Sequence, residues 1–191
     1  MLTTTLNEIR KHSPCEDGWR KMLAHLDKTK ADDEPLPFAA ILEANGLDDA
    51  LWCLRALPDE HAGPIRLLAC DLAERALVHV PDGEERPRQA IETARAYARG
   101  EATAEELEAA GEAARAAARA AAGEAPRAAA GNTARAAAWE AARAAWAATW
   151  AAAGNAAWTA AWTAAGGTVW TDEREAQAKI FQRWLGERGS G

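Results

Sequence analysis

The chain has 191 residues, a net charge of −7 at neutral pH, and an apolar share of 49% in which alanine is prominent. This length suits one domain, or a compact domain with an appended arm. Nucleic-acid binding relies on clustered lysine and arginine against phosphate. Here the arginines are interleaved with glutamates, so we expect no nucleic-acid partner. The three cysteines have no CxxC spacing and the opening MLTTTLNEIRKH lacks the apolar core of a signal peptide, which predicts a cytoplasmic protein.

The first hundred residues have the patterns of short amphipathic helices, separated by residues typical of helix ends and turns. SPCE, residues 13–16, has the composition of a capping box with Ser13 as the cap, and it predicts a helix to about Lys28. KTKADDEPLP, residues 28–37, predicts a solvated loop because two prolines and a charge run interrupt the pattern. Glycine accepts the left-handed geometry of a helix end, so we expect helices to end at Gly46 and Gly100. No segment alternates with period two, and the predicted fold class is therefore all-α, without a sheet.

From Thr103 onward the chain repeats in tetrads, which run from TAEE and LEAA through to GTVW. TAEE is a second capping box, and alanine is the best helix former, so the repeat predicts helix. Because an α-helix has about 3.6 residues per turn, residues spaced four apart move gradually around its axis and do not stay on one face. The repeat therefore predicts either one helix in a right-handed supercoil or several shorter helices. We favour broken helices, cut at Pro126, Gly131, Gly154 and Gly166. Expansion of a low-complexity codon repeat is an alternative origin for the period.

Tryptophans recur in the later tetrads, and no charged side chain occurs from Ala144 to Thr171. Each tryptophan carries on the order of 200 Å² of surface, so this set must pack on itself, on a second copy or on a partner. The pattern disfavours a membrane span because alanine is barely lipophilic, Asn155 lies inside the stretch, and the tryptophans are not confined to its ends. The residues predicted to bind a partner or to self-associate are Trp139, Trp146, Trp150, Trp158, Trp162 and Trp170.

The last segment, DEREAQAKIFQRWLGERG, returns to an ordinary amphipathic helix with large apolar residues. We expect this helix to dock on the alanine-rich array and close it. The predicted organisation is a domain of short helices over residues 1–100, an Ala/Trp-rich tetrad-repeat helical region over 101–170, and a C-terminal capping helix and tail over 171–191.

Signatures of catalysis are missing from the sequence, which contains no GxSxG, Walker loop, GxGxxG or HExxH. His12 and Cys15 stand three residues apart, but no second pair completes a metal site. The acidic triplet at residues 32–34, and His61 beside Glu60, are weaker catalytic candidates because we expect both at the surface. The sequence therefore predicts no enzyme activity, no metal and no cofactor.

Two blocks of the chain resemble known bacterial and phage proteins, and together they cover about residues 1–118. CDLAERAL followed by RPRQAIETARAYARGEATAEELEAA, residues 70–110, resembles the all-α immunity protein family of bacterial polymorphic toxin systems. Residues 15–58 are similar to uncharacterised phage and prophage proteins with Ala/Trp-rich tails. The resemblance implies a protein that binds and neutralises a toxin, and it transfers no catalytic residue. The residues that fall on the family pattern are Asp71, Glu74, Arg75, Arg86, Pro87, Arg88, Ile91, Arg95 and Gly100.

Two functions follow from these patterns. The first is a non-enzymatic cytosolic binding protein, encoded by a phage or prophage, that neutralises a toxin or host defence component through a helical surface. The alternative is a self-assembling helical scaffold whose Ala/Trp repeat forms the oligomer interface. The first predicts a protein partner at fixed stoichiometry, the second predicts a homo-oligomer, and the two can coexist.

Overall fold

A computed structural model of the chain describes residues 1–75, 77, 82–124 and 170–188. These residues are mostly helical, so the all-α class is confirmed at this level for the described part of the chain. In the same residues, no helix is both long enough and apolar enough to cross a bilayer. Most of the tetrad repeat lies outside the described residues, and its broken-helix arrangement stays a prediction.

Eight α-helices lie among the described residues, joined by two short 3₁₀ turns at Leu54–Ala56 and Asp59–His61. In chain order the helices are α1 Leu6–Lys11, α2 Glu16–His25, α3 Phe38–Asn45, α4 Leu47–Cys53, α5 Ala62–Glu74, α6 Arg86–Ala98, α7 Ala104–Glu124 and α8 Trp170–Glu187.

The chain divides into two compact units. One joins Met1–His61 to Arg174–Gly191, and the other is Ala62–Glu173. Most of α8 therefore groups with the first residues of the chain. The predicted boundaries at residues 100 and 170 divide the chain differently and stay predictions, and so does the docking of the last helix on the alanine-rich array.

Large apolar side chains form the core of the first unit. Helix α3 packs on α2 and α4, and α1 lies against the 3₁₀ turn at Leu54–Ala56. Ile9, Phe38, Ile41 and Phe181 are fully buried. Burying a side chain of this size stabilises a fold by roughly 1.5–3 kcal/mol, so these residues fix the positions of the elements around them.

Among the described residues of the second unit, small side chains make up most of the buried cluster where α6 packs on both α5 and α7. An added Cβ on Gly63 of α5 would lie 3.3 Å from the Ala98 carbonyl oxygen of α6, which shows how closely the two backbones approach. Alanine permits this approach but removes less surface from water than leucine does. The buried cluster that joins the three helices consists of Cys70, Ala73, Ala90, Ile91, Ala94, Leu107 and Ala114.

A two-stranded antiparallel sheet is present, and the expectation of no sheet is wrong here. Thr3–Thr4 (β1) pairs with Leu36–Pro37 (β2), with Thr3 opposite Pro37. The Thr4 hydroxyl, which is buried, donates to the Ala56 carbonyl oxygen at 3.1 Å. Two-residue strands are too short to show an alternating pattern, and their pairing depends on residues more than thirty positions apart.

Of the two predicted capping boxes, one is confirmed and one is wrong. Thr103 and Glu106 cap α7 reciprocally: the Glu106 carboxylate accepts from the Thr103 N–H at 2.8 Å, and the Thr103 hydroxyl from the Glu106 N–H at 3.2 Å. At the start of α2 the cap is Cys15, whose Sγ accepts from the Gly18 N–H at 3.4 Å. Ser13 lies two residues earlier in left-handed backbone, with φ of 56°, so it cannot serve as that cap.

Candidate partner-binding surface

The tryptophans predicted to bind a partner lie almost entirely outside the described residues. Trp139, Trp146, Trp150, Trp158 and Trp162 fall between Glu124 and Trp170, and Trp170 is the first residue of α8. Their role stays a prediction.

The acidic triplet, residues 32–34, makes hydrogen bonds that hold its loop against neighbouring residues. Lys28 Nζ donates to Asp32 Oδ2 at 2.5 Å and to Glu34 Oε2 at 2.6 Å. Asn7 Nδ2 donates to Asp33 Oδ1 at 2.9 Å, and the Asn7 N–H donates to the Asp32 carbonyl oxygen at 3.1 Å. The Lys28 hydrogen bond lowers the pKa of Asp32 and so favours the charged carboxylate. All three carboxylates therefore tie the loop to Lys28 or to α1.

The apolar helical pattern around the three cysteines predicts a buried side chain for each, and this prediction is confirmed for two of them and wrong for one. Cys15 is exposed, whereas Cys53 and Cys70 are buried. Burial raises the pKa of both buried thiols to about 12, because a thiolate would lose its hydration there. Within the described residues, no group of three His, Cys, Asp or Glu side chains is placed to bind a metal ion.

Three residues of the family-like pattern form one ion-pair cluster in the second unit. Arg95 Nη2 on α6 donates to Asp71 Oδ1 and to Glu74 Oε2 on α5, each at 2.7 Å. These contacts lower the pKa of Glu74 and raise that of Arg95, so both remain charged. The cluster joins α5 to α6, and its observed role is to hold the helices together. Elsewhere in the pattern, Gly100 follows α6 with φ of 76°.

Arginines stack on aromatic rings at three places in the described surface. The guanidinium of Arg55 lies 4.3 Å from the centroid of the Trp52 ring, and that of Arg188 lies 4.5 Å from the centroid of Trp184. In the second unit Arg66 stacks on Tyr97 at 4.9 Å. Trp, Tyr and Arg are the residue types most enriched at binding hot spots. Sequence reasoning missed these pairs, although an arginine three or four positions after a tryptophan on a helix was the available signal.

A mainly apolar groove of about 610 Å³ opens on the first unit. It is lined by the two residues that precede β1, by α3 and by α8, and its polar lining residues include Glu43 and Gln182. Met1 lies at its edge with 78% of its surface exposed, and it is the large apolar residue left exposed among those that the structure describes. Concave, apolar surfaces with a few polar groups are typical of binding sites. The apolar residues lining this groove include Leu2, Ala39, Leu42 and Leu185.

The sequence and fold were compared with family models, curated proteins and solved structures, and no match was found in any of the three. The functional interpretation therefore depends on the geometry of the groove and of the arginine–aromatic stacks.

Proposed function

We propose that this chain is a non-enzymatic protein-binding protein that neutralises a toxin or host defence component by covering it with a helical surface. The apolar groove of the first unit is the observation that supports this function best. A concave apolar groove is the kind of surface that receives a partner's apolar side chain, and the Trp52–Arg55 stack on the same unit combines two residue types that are enriched at hot spots. In this account the protein acts in the cytoplasm and is phage or prophage encoded, as the resemblance in its first 118 residues implies.

The experiment is capture of the partner from a lysate of the source cells with the tagged full-length chain. Captured protein is identified by mass spectrometry, purified separately and recombined, and the mass of the complex is measured by light scattering. The test variant is Ala39→Glu, since Ala39 is exposed in the groove and a longer charged side chain there obstructs it. The matched control is Ala109→Glu, at an exposed helical position in the second unit.

We expect one partner at a fixed ratio with the wild-type chain and with Ala109→Glu, and at least tenfold weaker binding with Ala39→Glu, which corresponds to about 1.4 kcal/mol. A wild-type chain that forms no complex with any purified candidate would contradict the proposed function. Equal binding of the partner by the two glutamate variants would show that the groove is not the binding surface.

A second function, self-assembly through the Ala/Trp repeat, is supported by the uncharged stretch from Ala144 to Thr171 with its five tryptophans. Replacing Trp146, Trp150, Trp158 and Trp162 with alanine removes on the order of 200 Å² of apolar surface at each position. Self-assembly predicts a defined oligomer by light scattering that becomes smaller in this variant. A wild-type chain that stays monomeric over the whole accessible concentration range would contradict it.

A further inference from the structure

A polar pocket lies beside the apolar groove in the first unit. Its volume is about 400 Å³, and its lining includes Thr3, His61, Glu187 and Arg188. Met1 and Leu2 line both the groove and the polar pocket. The two cavities are therefore neighbours, and one extended ligand can reach from one into the other.

Arg188 places a guanidinium in this pocket, and no carboxylate in the described part of the chain pairs with it. Its guanidinium lies 4.5 Å from the centroid of the Trp184 ring, so stacking limits its movement. Arg95, by contrast, is bound to two carboxylates in the second unit. A stacked guanidinium with unused N–H donors matches the planar, two-oxygen geometry of a carboxylate.

The other polar groups indicate which kind of carboxylate fits. Glu187 and Thr3 carry oxygen atoms that can accept hydrogen bonds, and His61 lies 3.6 Å from Glu60 and is 26% exposed. A pocket that offers both a cation and acceptors suits a ligand with N–H donors close to its carboxylate, as a peptide has. A bare inorganic anion would use Arg188 but would offer no N–H donor to the acceptors of the pocket.

We propose that the polar pocket and the apolar groove together bind a peptide segment of the protein partner in which a large apolar residue directly precedes a glutamate or aspartate. The apolar side chain enters the groove between α3 and α8, and the carboxylate binds Arg188. This assignment rests on the proposed function, since it names the chemistry of the partner that the function requires.

The test uses the full-length chain, labelled with ¹⁵N, and three dipeptide probes followed by NMR titration. The probes are acetyl-leucyl-glutamyl amide, acetyl-leucyl-glutaminyl amide and acetyl-alanyl-glutamyl amide. We expect saturable shifts of the Leu2 and Thr3 amides and of the Trp184 indole N–H with the leucyl-glutamyl probe. Binding of each of the other two probes should be about tenfold weaker, because each lacks one of the two matching groups.

Two variants locate the effect. Arg188→Gln should abolish the preference for glutamyl over glutaminyl, whereas Arg183→Gln, an exposed arginine on the same helix that does not line the pocket, should preserve it. The inference is overturned if the wild-type chain shows no saturable shift, if it binds the three probes equally, or if the preference survives in Arg188→Gln. The probe comparison on the wild-type chain decides the matter even if Arg188→Gln does not fold.

The dipeptides also separate this inference from the proposed function. If no partner complex forms while the glutamyl preference holds, the proposed function fails and the pocket assignment stands. If a partner complex forms and the dipeptides do not bind, the function stands and the assignment fails.

Discussion

Arg95 joins α5 to α6 through a single nitrogen, which donates to Asp71 and to Glu74. The resemblance singled out all three residues, and the structure gives them a shared stabilising role. Sequence alone did not reveal the pairing, because Arg95 lies more than twenty positions from both acids and the contact exists only when the helices pack.

This cluster predicts a pH dependence. Arg95 lowers the pKa of Glu74 in the folded chain, so the pair stabilises the fold above the ordinary glutamate range, and the contribution is lost as the pH falls through the lowered value. Arg95→Gln should therefore reduce the free energy of unfolding by about 1 kcal/mol at pH 7 and by clearly less below about pH 4. Urea denaturation at the two pH values measures this.

The control for this prediction is Arg20→Gln, since Arg20 is exposed and pairs within α2, with Glu16 at 2.7 Å and with Asp17 at 3.3 Å. Its effect should stay within about 0.5 kcal/mol. A deficit in Arg95→Gln that is the same at both pH values would show that charge pairing with Glu74 is not its cause.

The cysteines predict a labelling pattern. Cys15 is exposed, and Cys53 and Cys70 are buried with raised pKa values. In the folded chain at pH 8, one thiol equivalent should react rapidly with a disulfide reagent, and the other two should react only when urea is added. The Cys15→Ser variant should have no rapid phase. More than one rapid equivalent in the folded wild-type chain would contradict the described burial.

Among the elements, local sequence signals predicted the helix ends at Gly46, Gly100 and Thr103, but they failed at Ser13 and wherever distant residues decide the structure. Glycine at 46 and at 100 does adopt positive φ beside helix ends, and the Thr103 capping box forms. The Ser13 box has the same kind of residues but not the backbone geometry. The β1–β2 pairing and the groove escaped prediction because they combine residues that are far apart in the chain.

The two capping sequences predict effects of different size for the same type of substitution. Thr103→Ala removes an acceptor for the Glu106 N–H and should destabilise the chain by about 1 kcal/mol. Ser13→Ala should change stability by less than about 0.5 kcal/mol, because Ser13 caps no helix. Urea denaturation of the two variants measures both effects, and a larger loss in Ser13→Ala would contradict the assignment of Cys15 as the cap.

At the scale of the whole molecule, the described cores of the two units differ in composition. Phenylalanine, leucine and isoleucine fill the first, whereas four of the seven buried residues in the cluster of the second are alanine. Alanine burial contributes less per residue, so the second unit should open at a lower free energy. Native-state hydrogen exchange should therefore find the slowest amides in α1, α3 and α4. Slowest exchange in α6 instead would contradict this ranking.

The account treats the whole molecule as a binder without turnover. The most direct test is to titrate the purified partner's activity with the chain under conditions of tight binding. The account predicts that activity falls linearly to an end point at a fixed molar ratio and returns when the complex is dissociated. Loss of partner activity at far less than one equivalent, continuing with time, would show that the chain acts catalytically and would contradict the central claim.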